Sequence, residues 1–136
     1  MPLRERDLLG PVASHFQDLG YEAFAEVEIA GRWADLVAVS DEELIAVELK
    51  LRAWREAIRQ AMAYQLGADR AFVAMPLVEA HQAYRGRFAF EREGIGLLAV
   101  DDAERVRTVL NPAPSPRRFP PLTDSLRAGV PRPPPR

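Results

Sequence analysis

Residues 32–50 read Arg32-Trp33-Ala34-Asp35-Leu36-Val37-Ala38-Val39-Ser40-Asp41-Glu42-Glu43-Leu44-Ile45-Ala46-Val47-Glu48-Leu49-Lys50, two apolar-rich runs around a polar turn. Successive side chains of a strand point to opposite faces. Trp33, Asp35, Val37 and Val39 therefore share one face of the first run. In the second run Leu44, Ala46, Glu48 and Lys50 share a face, and Ile45, Val47 and Leu49 take the other. With Asp41-Glu42 as a two-residue loop, Ser40 pairs with Glu43, and a four-residue loop keeps the same register. Asp35 is then expected opposite Glu48, and Trp33 opposite Lys50.

Directly opposed strand residues have β-carbons about 4.5–5.5 Å apart. Two carboxylates at that distance repel each other unless a cation lies between them or one takes up a proton. They can also reach one Mg²⁺, whose oxygen ligands sit at roughly 2.1 Å. Val37, Val39, Leu44 and Ala46 make the shared face largely apolar, so charged groups at its end need partners or a metal. The plain alternative is that Asp35 and Glu48 are polar residues on a solvent-facing hairpin. Lys50 weighs against it, being the one lysine among 18 basic residues. Arginine cannot replace lysine where a compact ammonium with a tunable pKa is needed. A lysine beside two acids can hold or deprotonate a water, or stabilise the negative charge of a phosphorane-like transition state.

Outward from the hairpin, the chain alternates between helix and strand signals. Residues 3–19 set Leu8, Leu9, Val12, Phe16 and Leu19 at helical spacing and stop at Gly20, with Pro11 either kinking this helix or starting it. Residues 21–29 alternate as a strand. After the hairpin, 53–66 is expected to be a helix ending at Gly67, and 71–75 a buried strand stopped by Pro76. A helix over 78–92, a strand over 95–100 and a last strand or turn over 105–110 complete the order αβββαβαβ. This predicts an α/β fold, a mixed sheet with flanking helices. Nine of the 12 prolines fall in residues 112–136, predicting an extended or disordered Pro/Arg-rich tail behind a domain spanning 1–111.

Composition narrows the chemistry. The absence of cysteine removes disulfides, thiolate metal sites and thiol nucleophiles, which fits a cytoplasmic protein. Two histidines, His15 and His81, each alone on an expected helix, read as surface or packing residues. A metal site would then rest on oxygen ligands and a hard cation. No run reaches the 18 or so apolar residues of a membrane span, and the N-terminal residues carry no signal-peptide pattern. Five arginines against Asp124 in the tail leave the body acidic within a formal charge of −2.

Asp35, followed 13 residues later by Glu48-Leu49-Lys50 on the next strand, resembles the PD-(D/E)XK nuclease-like superfamily of restriction enzymes and junction resolvases. The resemblance covers roughly residues 3–100 and is close to small bacterial proteins described as PD-(D/E)XK phosphodiesterases. It implies a restriction-endonuclease-like fold and a nuclease using Mg²⁺ or Mn²⁺. It makes Asp35 and Glu48 metal ligands, the Leu49 carbonyl a third donor, and Lys50 the residue that orients the attacking water. An acid from the first helix, Glu5, or from the first strand, Glu28, would complete the site. Ala34 stands where the motif's name has proline. Gln60-Ala61-Met62-Ala63-Tyr64 resembles the Gln-x-x-x-Tyr helix of exonuclease-like members, which puts Gln60 and Tyr64 at the site.

Arg52, Arg55 and Arg59 are read on the same helix as candidate phosphate grips, and Trp33 as a base-stacking residue. The expected partner is nucleic acid, DNA ahead of RNA, and the small body leaves room for a homodimer. The rival reading is a catalytically idle nuclease-fold module that binds DNA or a protein partner, which the acidic body favours. A third is a structural α/β protein whose hairpin acids bind nothing.

Overall fold

A computed structural model of the chain describes residues 3–130. The terminal Pro-Arg-Pro-Pro-Pro-Arg run, part of the expected extended tail, lies outside the described residues. Six strands form one sheet in chain order: β1 Glu22–Ile29, β2 Arg32–Val39, β3 Leu44–Leu49, β4 Arg70–Pro76, β5 Gly96–Val100 and β6 Val106–Leu110. The β1–β2, β2–β3 and β5–β6 pairs are antiparallel, and β3–β4 and β4–β5 are parallel. The fold is thus the expected mixed α/β sheet with flanking helices.

The first helical stretch is a 3₁₀ turn, Glu5–Leu8, followed by α1, Leu9–Asp18. Pro11 falls in the first turn of α1, where its missing N–H costs nothing, so it starts this helix and the preceding turn is separate. α1 lies on one face of the sheet, with Leu8, Val12 and Phe16 packed on Leu36, Ala38, Ile45, Val47 and Leu49. The other face carries α2 Trp54–Tyr64, α3 Leu77–Tyr84, α4 Arg87–Glu93 and α5 Pro120–Gly129.

From Leu36 onward, alternation in the hairpin sorts side chains as expected; Ala34 packs with Val37 and Val39 instead of with Leu36, so the alternation slips at Asp35. Val37, Val39, Leu44 and Ala46 pack with Tyr64 of α2 on one side, while Leu36, Ala38, Ile45, Val47 and Leu49 face α1. The register also holds over four pairs, Val39–Leu44 to Leu36–Val47, and the turn closes with Ser40 N–H donating to the Glu43 carbonyl at 2.9 Å.

Three expectations need correction. The helix expected over 78–92 is two helices, broken at Gly86. A β-carbon there would lie 2.2 Å from the Trp54 ring, so the chain turns where only glycine lets α3 and α4 pass the indole. Arg52 precedes α2 in a bend and is not on the helix. The tail was expected to be extended, yet residues 120–129 form α5. Pro120 and Pro121 occupy its first two positions, which need no intrahelical N–H donors. Leu122 and Leu126, four apart, then pack toward Ile29, Val37 and Tyr64, and Leu126 fills the space left by the missing side chain of Gly67. Upstream, Arg117 donates to the Gln65 Oε1 and Glu93 Oε1 atoms, both at 2.7 Å.

Candidate active site

Beyond the Leu36–Val47 pair the β2–β3 ladder stops. Asp35 therefore does not form the cross-strand backbone pair with Glu48 that its spacing suggests. Its carboxylate instead reaches across the opening and accepts the Leu49 N–H at Oδ2, 2.8 Å away. Trp33 pairs with Glu28 of β1 and not with Lys50. On the β1 side, Glu26 has the left-handed φ of 53°, and the pairing skips from Ala25–Leu36 to Val27–Ala34. Asp35 thus lies at a local break in its ladders on both sides, where a side chain can replace a backbone partner.

Glu48 is one of three buried polar or charged residues among those described, at 6% exposure. The Tyr64 hydroxyl lies 2.7 Å from Glu48 Oε1 and 2.8 Å from the Trp33 carbonyl oxygen. A phenol has one hydrogen, so it cannot satisfy both acceptors while Glu48 is ionised. That one hydrogen serves either the Glu48 carboxylate or the Trp33 carbonyl, and a proton on Glu48 would release the phenol to Trp33. The energetics agree. Burial pushes the Glu48 carboxyl up to about 7; the Tyr64 hydrogen bond opposes this, the Asp35 charge adds to it, and Lys50 pulls the other way. Burial raises Asp35 as well, against the pull of the Leu49 amide, and the negative charge of Glu5 raises it further. The contact between the two acids lowers Asp35 and raises Glu48, as one shared proton resting on Glu48 would do. Burial also raises the Tyr64 phenol, with Glu48 next in effect.

Lys50 stands at the mouth of this pair. Its ammonium donates to Glu56 Oε1 at 3.1 Å and to Gln60 Oε1 at 3.4 Å, both on α2. Glu56, Gln60 and Tyr64 are spaced four apart and line one edge of that helix. Sequence reading found Gln60 and Tyr64 and missed Glu56, although the same spacing one turn earlier pointed to it. It also missed Arg32, whose charge reaches the Tyr64 phenol.

Other expected residues are placed differently. Arg55 and Arg59 line a groove between α2 and α4 with Met62 and Arg92, and the Arg55 guanidinium lies 4.1 Å over the Trp54 ring. They are on another face of α2 from Glu56, Gln60 and Tyr64. Arg52 and Glu28 are exposed. Trp33 has its backbone beside Tyr64, while its side chain leaves the residue 62% exposed. The Leu49 side chain is buried against α1, and its amide serves Asp35. Glu5 is exposed and acts on Asp35 through its charge.

Among the described residues no three His, Cys, Asp or Glu side chains converge to hold a metal, so Glu5 does not complete a three-acid cluster here. The donors present nevertheless suit a hard divalent cation. Asp35 and Glu48 offer carboxylate oxygens raised by burial, and the nearby ammonium is engaged by Glu56 and Gln60 instead. A cation between them would relieve the strain of ionising both. No helix is long and apolar enough to cross a membrane among the described residues. Comparison with family models, curated proteins and solved structures returns no match.

Proposed function

We propose that this chain is a metal-dependent nuclease of the PD-(D/E)XK type, with a restriction-endonuclease-like fold, that hydrolyses phosphodiester bonds in nucleic acid, DNA ahead of RNA. The observation that carries this reading is the pair Asp35 and Glu48. Both carboxyls are raised by burial and in contact with each other, at an opening bordered by Lys50, Gln60 and Tyr64.

Asp35 and Glu48 would hold Mg²⁺ or Mn²⁺, with the Leu49 carbonyl as a further donor. The ion supplies Lewis-acid polarisation of the phosphate and a bound water of lowered pKa. Asp35 is fixed by the Leu49 amide, so its second oxygen has a set direction. Tyr64 holds one oxygen of Glu48 in the same way. Glu56 and Gln60 restrain the flexible stem of Lys50, which keeps its ammonium beside the acids. From there Lys50 can donate to the attacking water's oxygen and offset the charge that builds on the phosphate. Tyr64 and Gln60 are positioning residues in this scheme.

A second reading, an idle module of the same fold that binds nucleic acid or protein, draws on the lack of a three-acid cluster among the described residues. Thermal melts of wild type and Glu48→Ala in Mg²⁺, in Mn²⁺ and in chelator separate the two. A ligand that binds only the folded state adds about 2.7 kcal/mol at a hundredfold excess over Kd. A metal-dependent rise in wild type, lost in Glu48→Ala together with cleavage of DNA and RNA panels, is the expected result. No response to metal and no cleavage by wild type would sink the nuclease reading.

A further inference from the structure

Arg55, Ile58, Arg59 and Met62 make one stripe of α2, at spacings of three and four residues. Across from them, Ala89, Arg92 and Glu93 of α4 close a groove of about 330 Å³. Ile58, Met62 and Ala89 are buried or half-buried and form its apolar floor, while the three arginines are exposed along its rim. The one acid, Glu93, accepts Arg117 at 2.7 Å and Arg92 at 3.4 Å. Four arginines thus surround a single glutamate in an acidic body. Arg55 and Arg59 form no ion pair among the described residues, and like charges four apart destabilise a helix. Arg55 is also held in place. Its guanidinium lies 4.1 Å over the Trp54 ring, which stacks on Phe90 with ring centroids 5.8 Å apart. Phe88, one turn before Arg92 on α4, is 79% exposed.

We propose that the α2–α4 groove is a docking surface for an acidic amphipathic helix of a partner protein. Its apolar side chains would sit on Ile58 and Met62, and its carboxylates would meet Arg55, Arg59 and Arg92. Stability alone gives no reason to gather like charges around an apolar strip; a partner of opposite charge removes the repulsion and covers the strip together. Arginine, methionine and aromatic side chains are the types that interfaces concentrate, and an arginine already fixed on an indole loses little freedom when it binds. A phosphate backbone would use the rim and leave the floor in water, whereas a helix with an acidic and an apolar face meets both. α2 has 11 residues, about 16 Å at ~1.5 Å per residue, which sets the length of helix that can lie along it. The groove is on another face of α2 from Glu56, Gln60 and Tyr64, so this docking does not depend on the nuclease reading.

Fluorescence polarisation on the full chain tests this with a labelled peptide of about four helical turns, leucines at i, i+3, i+4 and i+7 and glutamates on the other face. Saturable binding that weakens as salt rises is expected. Glutamine in place of the peptide's glutamates should weaken it about tenfold or more, and so should Arg55→Glu combined with Arg59→Glu. The decisive arm is a charge swap. The doubly reversed protein should bind the same peptide carrying lysines for glutamates, which wild type rejects, and that gain cannot come from a misfolded variant. Met62→Ser, checked by a thermal melt, should also weaken binding, because the floor loses an apolar contact. Equal binding of the glutamine peptide, unchanged affinity in the doubly reversed protein, or no binding by wild type overturns the proposal. An oligonucleotide that binds as tightly as the peptide and loses its affinity in the same variant overturns it as well, making the groove a phosphate grip. So does a dimer of the chain alone that the double reversal dissolves, which would assign the groove to a second copy.

Discussion

The two ends of β3 carry glutamates only five residues apart, and they are treated in opposite ways. At the entry, Glu43 accepts the Tyr21 hydroxyl at 2.6 Å and Arg70 Nε at 3.2 Å, and Arg70 goes on to the Pro112 carbonyl at 2.8 Å. Asp69 next to it takes the Leu44 amide at 2.7 Å and faces Arg118. Each of these acids has a cation, and the contacts tie the tail to the sheet. At the exit, Glu48 has a phenol and a second acid, while the nearest ammonium is bound to Glu56 and Gln60. A fold built only for stability pairs its charges as the entry does. The exit keeps two acids short of a cation, the shortage that the proposed metal would fill.

The largest expected effect comes from replacing the ammonium at the exit without removing its charge. Lys50→Arg keeps a cation but exchanges a compact donor for a planar fork. Cleavage should fall on the order of 10³-fold, as when a positioned proton-handling group is lost. The melting temperature should hardly move, because the Lys50–Glu56 pair is with a side chain 53% exposed and such pairs contribute about 1 kcal/mol or less. Single-turnover cleavage and a thermal melt of the same preparation check both halves. Wild-type cleavage in Lys50→Arg would mean that the exit needs only a charge, and the contrast with the arginine-paired entry would lose its meaning.

A pH series tests the exit's shortage of charge directly. In chelator, unfolded Glu48 ionises near its ordinary value of 4.5 and the folded residue near 7. Between those values the folded state keeps a proton that the unfolded state has released. Stability must therefore fall as pH rises through this window. The loss should be on the order of 2 kcal/mol by pH 8, allowing for relaxation around the buried group. Glu48→Gln, which cannot ionise, should flatten the slope and be the more stable protein at pH 8. Urea titrations at a series of pH values give the slope; equal slopes for both proteins would show that Glu48 is ionised throughout without cost.

Much of this contrast was legible in the residues. Strict alternation and a polar turn specify the β2–β3 register, because a one-residue slip would turn Val37, Val39, Leu44 and Ala46 away from α2. The same alternation brought Asp35, Glu48 and Lys50 to one end, and the four-residue spacing of Gln60 and Tyr64 brought these two to the same opening. What the pattern could not give was the end of the ladder. Pairing rules extend a strand until something stops it, and here the stop is a side chain, Asp35, taking the place of a backbone acceptor for Leu49. The tail was misread for a related reason. Proline content describes the interior of a segment, whereas Pro120 and Pro121 begin a helix whose Leu122 and Leu126 find a partner, Gly67, more than fifty residues earlier. Glu56 shares the four-residue spacing of Gln60 and Tyr64 one turn earlier, but the role of this exposed acid shows only once the lysine it holds is located in space.

The smallest expected effect belongs to the entry and sets the lower bound of the comparison. Arg70→Met keeps the aliphatic stem against the sheet but removes the donors to Glu43 and to the Pro112 carbonyl. Arg70 and Glu43 are partly exposed, at 35% and 26%, so water can recover much of what is lost. The cost should be about 1 kcal/mol. Part of it falls on the tail, since Pro112 is where the chain leaves β6 toward α5. Cleavage and the metal-dependent rise in melting temperature should both survive, because nothing at the exit depends on Arg70. Chemical denaturation beside a cleavage assay measures the two quantities on one variant. An entry substitution that reduced cleavage as Lys50→Arg does would show that β3 transmits its charges from end to end, and the acids at its two ends would then have to be treated as one network.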